Sequence, residues 1–156
     1  MHPGNTIQVS GGLNKQRTIV EDVITHCLDK LLPLHRTLWI EVDLKDLKRE
    51  NVYGYCYPTD HHLYNLEIDK FQKLYDLILT TCHEMVHVKQ GVRKELTERH
   101  LKQFWKGVEA TGWRTEPWET EAFNLQTELA HTYIREKLGH FVKDIKLVEE
   151  RCMELY

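Results

Sequence analysis

No apolar run in this 156-residue chain approaches the ~18 residues that a membrane span requires, so no transmembrane role is expected. Nor is there a C-x-x-C pair. Cys27, Cys56, Cys82 and Cys152 are scattered, and they read as reduced, mostly buried residues and not as a disulfide frame. Basic residues cluster no further than short RK and KR pairs, and the formal net charge is −3, which removes the electrostatic footprint of a dedicated nucleic-acid binder. The N-terminal stretch MHPGNTIQVSGGLNKQR lacks the continuous apolar core of a secretory signal, so a cytoplasmic location is the expectation. No internal repeat, low-complexity tract or linker divides the chain. Its length, with 41% apolar and 29% charged residues, suits one globular domain with a single core.

The first 16 residues, rich in Gly, Asn and Ser, read as a flexible arm, leaving residues 17–156 as the single domain. From Arg17 to Leu32, Val20, Val23, Ile24, Cys27, Leu28 and Leu31 recur at helical spacing, and Pro33 follows. The alternation of Leu38, Ile40, Val42 and Leu44 predicts a half-buried strand. NVYGYCY and HHLYNLEID, joined by PTD, predict a hairpin. Helical period returns from about Lys70 to Gln90, and a second helix-like stretch is read around ELTERHLKQFWKG. A loop leads to a helix from Pro117 to about Lys137, with Pro at its first turn and Gly139 just past its end. Phe141, Ile145, Val148, Cys152 and Leu155 then predict a C-terminal helix. The expected fold class is α+β: a three-stranded or slightly larger mixed sheet packed on the helix that carries residues 83–87.

That helix contains LILTTCHEMVHVKQ, in which His83, Glu84 and His87 form H-E-x-x-H. A shuffled chain with ten histidines would show the pattern roughly 0.06 times, so its surroundings decide its meaning. Stepping about 100° per residue from His83, Leu74, Leu77, Ile78, Thr81, Met85 and Val88 fall within an arc from about 120° to 220°, whereas His87 lies at about 40°. The apolar side would face the strands and both imidazoles would emerge together on the other, able to hold one zinc ion. Glu84, at about 100°, suits a carboxylate that touches the reacting water and not the metal.

A catalytic zinc takes three protein groups and keeps one position for water. In TEPWETEAFNLQTELAHTYI, Glu119 falls within the apolar arc of its helix, whereas Glu121 and Glu128 lie on the polar stripe. A carboxylate on an apolar stripe is costly unless paired or bound to metal, so Glu119 is chosen as third ligand, with Glu121 as the alternative. His131 and Tyr133 are weighed as donors to the oxyanion; His61, His62 and His100 read as surface residues, and Cys82 as core.

HEMVHVKQ, followed some thirty residues later by FWKGVEATGWRTEPWETEA, resembles the gluzincin metallopeptidases. The likeness is to their smallest members, the minigluzincins and SprT-like or phage metallopeptidases, in which H-E-x-x-H-x-x-Q precedes a P-W-E-x-E-A helix. It covers roughly residues 37 to 135. The resemblance implies a protein or peptide substrate paired as an extended strand with a sheet edge above the active helix, here NVYGYCY or HHLYNLEID. Two departures stand out: Phe123 occupies the place of the Asp that many gluzincins put four residues after the ligand Glu, and the zinc ribbon and basic tail of some SprT-like proteins are absent. The expectation is a zinc endopeptidase with Glu84 as general base. The alternative is a non-catalytic, zinc-stabilised scaffold or regulatory domain.

Overall fold

A computed structural model describes residues 4–60, 62–110 and 116–138. In chain order these form β1 (Thr6–Gly11), α1 (Asn14–Leu31), β2 (Trp39–Lys45), β3 (Gly54–Pro58), β4 (Leu63–Asp69), α2 (Leu74–Val92), β5 (Leu96–Arg99), β6 (Lys102–Trp105), β7 (Val108–Glu109) and α3 (Pro117–Tyr133). The last continues as a π-helical turn over Ile134–Leu138. The class is α+β, as the sequence implies, and the main sheet has four strands in the order β1-β2-β4-β3.

Alternation along β2 sends Ile40, Val42 and Leu44 inward and leaves Trp39, Glu41 and Asp43 exposed. On β4, Tyr64, Leu66 and Ile68 take the same inner side. Against that face pack Val20, Val23, Ile24, Cys27 and Leu28 of α1, together with Leu77, Ile78, Cys82 and Met85 of α2. Helix α3 lies on α2 and adds Ala122, Leu129, Ala130 and Tyr133 to the same core. Helix α2 therefore lies between the sheet and α3.

The arm expected over residues 1–16 is corrected at residues 6–11, which form β1, and at residues 14–16, which open α1. Thr6–Gly11 pairs in parallel with Trp39–Leu44, and Ile7 and Val9 pack on the core. The glycines that suggested flexibility make the turn into α1: Gly11 and Gly12 have φ of 78° and 57°, and a Cβ on Gly11 would collide with the Leu44 carbonyl oxygen. The hairpin over residues 51–69 is present, with β3 antiparallel to β4 and forming one free edge of the sheet, opposite β1, while β4 lies between β2 and β3.

A second correction falls on ELTERHLKQFWKG, which is a strand meander and not a helix. Leu96 pairs with Trp105 and Arg99 with Lys102, so His100 and Leu101 form a two-residue loop, both with positive φ. Lys106 and Gly107 turn β6 into β7 in the same way. Two consecutive left-handed residues match the twist of a hairpin and are incompatible with a continuing helix. The expected C-terminal helix, with Gly139, lies outside the described residues.

Candidate metal centre

Helix α2 begins after Lys73 and runs nineteen residues without proline, which keeps residues 83 and 87 in one helical register. Their imidazoles stack edge to face, 4.9 Å between centroids, on the side of α2 that meets α3 and β3. Helix α3 starts on Pro117 at its first turn, whose fixed φ suits that position, and this sets Glu119 opposite both rings. The Glu119 carboxylate oxygens lie 3.1 Å from His83 Nε2 and 2.8 Å from His87 Nε2, and the two Nε2 atoms are 3.3 Å apart. These three groups form a cluster able to hold a metal ion.

The far side of each ring is fixed by a glutamine. His83 Nδ1 lies 2.8 Å from Gln126 Oε1 and His87 Nδ1 lies 2.9 Å from Gln90 Oε1. Gln90 is fully buried, and its amide donates to the Trp118 carbonyl at 2.9 Å and to Glu121 at 3.2 Å, which sets its oxygen toward His87. An acceptor at each Nδ1 fixes a proton there and leaves Nε2 directed inward, a donor to Glu119 when it carries a proton and a metal ligand when it does not. Three donor atoms converging at about 3 Å also match the edge of a tetrahedron with bonds of about 2.0–2.1 Å. The donor set therefore fits a divalent ion that accepts nitrogen and carboxylate ligands.

Hydrogen bonds from His83 and His87 hold the Glu119 carboxyl far below the ordinary carboxylate range. Burial by itself would depress His87, but its bonds to Glu119 and Gln90, with the charge of Glu84, leave it above its usual 6.5. Glu84 is only 5% exposed, and burial pushes its carboxyl up, partly offset by the two histidines. It sits beneath the edge strand: a Cβ on Gly54 would lie 3.1 Å from Glu84 Oε1. Glycine at 54 is what lets β3 approach this closely.

Two cavities of about 410 Å3 each meet at Gly54, His83 and Glu84. The first runs beneath β3 toward Tyr64, Gly91 and Trp118 and takes in His87 and Glu119. The second extends past Val52, Leu79, Phe123 and Gln126. Together they make an open cleft along the free edge of the sheet, with the histidines and Glu84 at its middle.

The structure thus brings together all four residues expected from the sequence: His83, Glu84, His87 and Glu119. Glu121 is not among the group; it pairs with Lys89 at 2.8 Å and with Gln90. Neither weighed oxyanion donor lines either cavity, because Tyr133 donates to Asp22 at 2.9 Å and His131 lies 2.7 Å from the Tyr75 hydroxyl. His62 and His100 are exposed, Cys82 is buried in the core, and His61 lies outside the described residues. Sequence reasoning missed Gln126, and included Gln90 only as the last position of H-E-x-x-H-x-x-Q, with no role assigned to it. Gln90 stands one turn after His87, and Gln126 stands seven residues after Glu119 on the same face, so helical spacing could have found both. Phe123, in place of a carboxylate, packs on the His83 ring at 4.7 Å.

No family model, curated protein or solved structure matches this chain.

Proposed function

We propose that the protein is a zinc-dependent endopeptidase of the minimal gluzincin type, with His83, His87 and Glu119 as ligands of one zinc ion and Glu84 as general base. The observation that carries the reading is a three-ligand cluster with a carboxylate beside it and outside it. Among the described residues no fourth His, Cys, Asp or Glu joins the group, as it would in a closed structural site.

Bound zinc would supply Lewis acidity toward a carbonyl and lower the pKa of water to about 7. The remaining work falls to the chain. Glu84, held under β3, accepts a proton from the attacking water and returns it to the departing amine. Gln90 and Gln126 hold the rings and keep both Nε2 lone pairs directed inward. The free edge of β3 offers backbone groups to an extended peptide, which would cross the cleft above Glu84. Glu84 also separates this reading from a scaffold domain, which has no use for a buried base next to its metal.

Cleavage of a peptide library by the zinc-loaded protein and by Glu84→Gln tests it. The expected outcome is cleavage that falls at least about a hundredfold in the variant with zinc content unchanged. No cleavage by either form, with zinc fully bound, would support the scaffold alternative.

A further inference from the structure

Beyond His87, the cleft continues into a region that the metal group does not fill. Gly91 follows His87 by one turn on the same helical face, about 6 Å along the axis. Imidazoles on a helix lean toward its N-terminus, so the space over Gly91 is left clear. Tyr64 stands there. It comes from β4, which is paired on both sides, and is only 4% exposed; a Cβ at Gly91 would lie 2.7 Å from its hydroxyl oxygen. That hydroxyl lines the cavity and takes part in no hydrogen bond among the described residues. The oxygen opens onto the cavity, where water or a donor on a bound group can pair it.

The charge of the same cavity has one sign. Its lining includes Glu84, Glu98 and Glu119 and neither Lys nor Arg. An ion held by the histidines and Glu119 would offset the first and last of these, leaving Glu98 of β5 at the mouth. Several cations near that strand are engaged elsewhere: Lys102 with Glu109 at 3.4 Å, Lys89 with Glu95 and Glu121 at 2.8 Å, and Arg99 over the Phe104 ring. Leu96 and Trp118 supply apolar walls. An alkyl stem with a donor-bearing, positively charged tip matches this combination, since the stem packs on apolar walls while the tip needs acceptors.

The geometry points to a side-chain subsite for lysine or arginine at the His87 end of the cleft, with Glu98 pairing the charge and the Tyr64 hydroxyl accepting at the floor. This rests on the endopeptidase reading for the identity of the ligand as a peptide, and binding alone tests it. Fluorescent octapeptides carrying Arg, norleucine or Glu at one scanned position would be titrated by anisotropy against zinc-loaded Glu84→Gln. At one position Arg should bind about tenfold more tightly than norleucine, the scale of one charge-assisted hydrogen bond, and Glu most weakly. Glu98→Gln, a change at an exposed side chain, should remove most of that preference and its salt dependence. Tyr64→Phe should weaken the Arg peptide alone, with zinc content and melting temperature unchanged. Equal binding of Arg and norleucine at every position, or a full preference retained in Glu98→Gln, overturns the subsite. Arg-selective binding by a wild type that cleaves nothing overturns the peptidase reading and leaves the subsite standing; no peptide binding at all overturns both.

Discussion

Helix α2 presents two faces built on opposite rules. Toward α1 and the sheet it offers Leu77, Ile78, Cys82, Met85 and Val88, all buried among other apolar groups and replaceable in kind. Toward α3 and β3 it offers the buried Glu84 and Gln90 and the partly buried His83 and His87, each satisfied by a named partner or directed at the cleft. On the first face shape decides and chemistry is interchangeable within limits. On the second, the identity of a single atom decides, because an unpaired polar group at that depth is costly. The same backbone thus carries the fold on one side and the site on the other.

The largest expected effect separates the faces. Ala at His83 or His87 should abolish stoichiometric zinc by mass spectrometry while the metal-free protein stays folded, and Glu119→Gln should weaken zinc strongly. Met85→Ala on the opposite face should do the reverse, costing about 2–5 kcal/mol of stability and leaving the ligands in place. Full zinc retention in both histidine variants would break the comparison. Glu84→Gln comes next: peptide cleavage should drop about 10²- to 10⁴-fold without loss of metal. Equal zinc-dependent cleavage by variant and wild type would put the base elsewhere.

A smaller step tests the glutamine supports. Gln126→Leu removes the acceptor at His83 Nδ1, and zinc affinity by competition titration should fall about 10- to 100-fold with the ligands intact. Smaller again is Glu121→Gln. It leaves the three ligands untouched, so affinity should stay within a few fold; the reverse ranking of Glu119 and Glu121 would contradict the observed helix phase.

The least effect is one of sign with pH. In the metal-free protein His87 titrates above its usual 6.5 and Glu119 below its usual 4.5, so their pairing contributes fully between those values. That contribution is lost as pH rises through the raised His87 value and again as pH falls through the lowered Glu119 value. The zinc-loaded protein needs both imidazoles neutral and should lose stability as pH falls toward 6.5 and below. Melting temperatures of the two forms, followed from pH 5 to 8, should therefore change in opposite directions; parallel curves would show that the histidines do not hold the metal.

The parts of the molecule that could be read from sequence are those where one residue type has one physical explanation. The H-E-x-x-H spacing and the apolar arc of α2 fix which way the histidines point, and Glu119 stands out because it falls within the apolar arc of α3, the side that meets α2. Burial side alone does not separate the two carboxylates, because Glu121 also turns toward α2, where Lys89 meets it. The meander over Leu96–Glu109 was misread because its first turn places His100 and Leu101, not Gly or Asn, in left-handed conformations, so the local signal of a hairpin is missing. Strand β1 was misread for the opposite reason: its glycines announce a turn, and the partner that makes the preceding residues a strand lies about thirty residues away in β2. Tyr64 could not be found from β4 alone. Its alternation marks it as core, and only the approach of Gly91 shows that its hydroxyl reaches the cleft.

The free edge of β3 also bears on how the protein behaves when crowded. An exposed edge is a template for any passing strand, including the same strand of a second copy. Here the edge is five residues long and ends on Pro58, which has no N–H to offer and cannot continue a ladder. Two copies meeting edge to edge would share too few backbone bonds to hold together in water, where even a two-stranded hairpin is marginal. A peptide with further contacts along the cleft does not depend on those bonds alone. The proline thereby permits a short guest to pair while discouraging growth into a stack, so concentrated samples should remain dispersed with the edge uncovered.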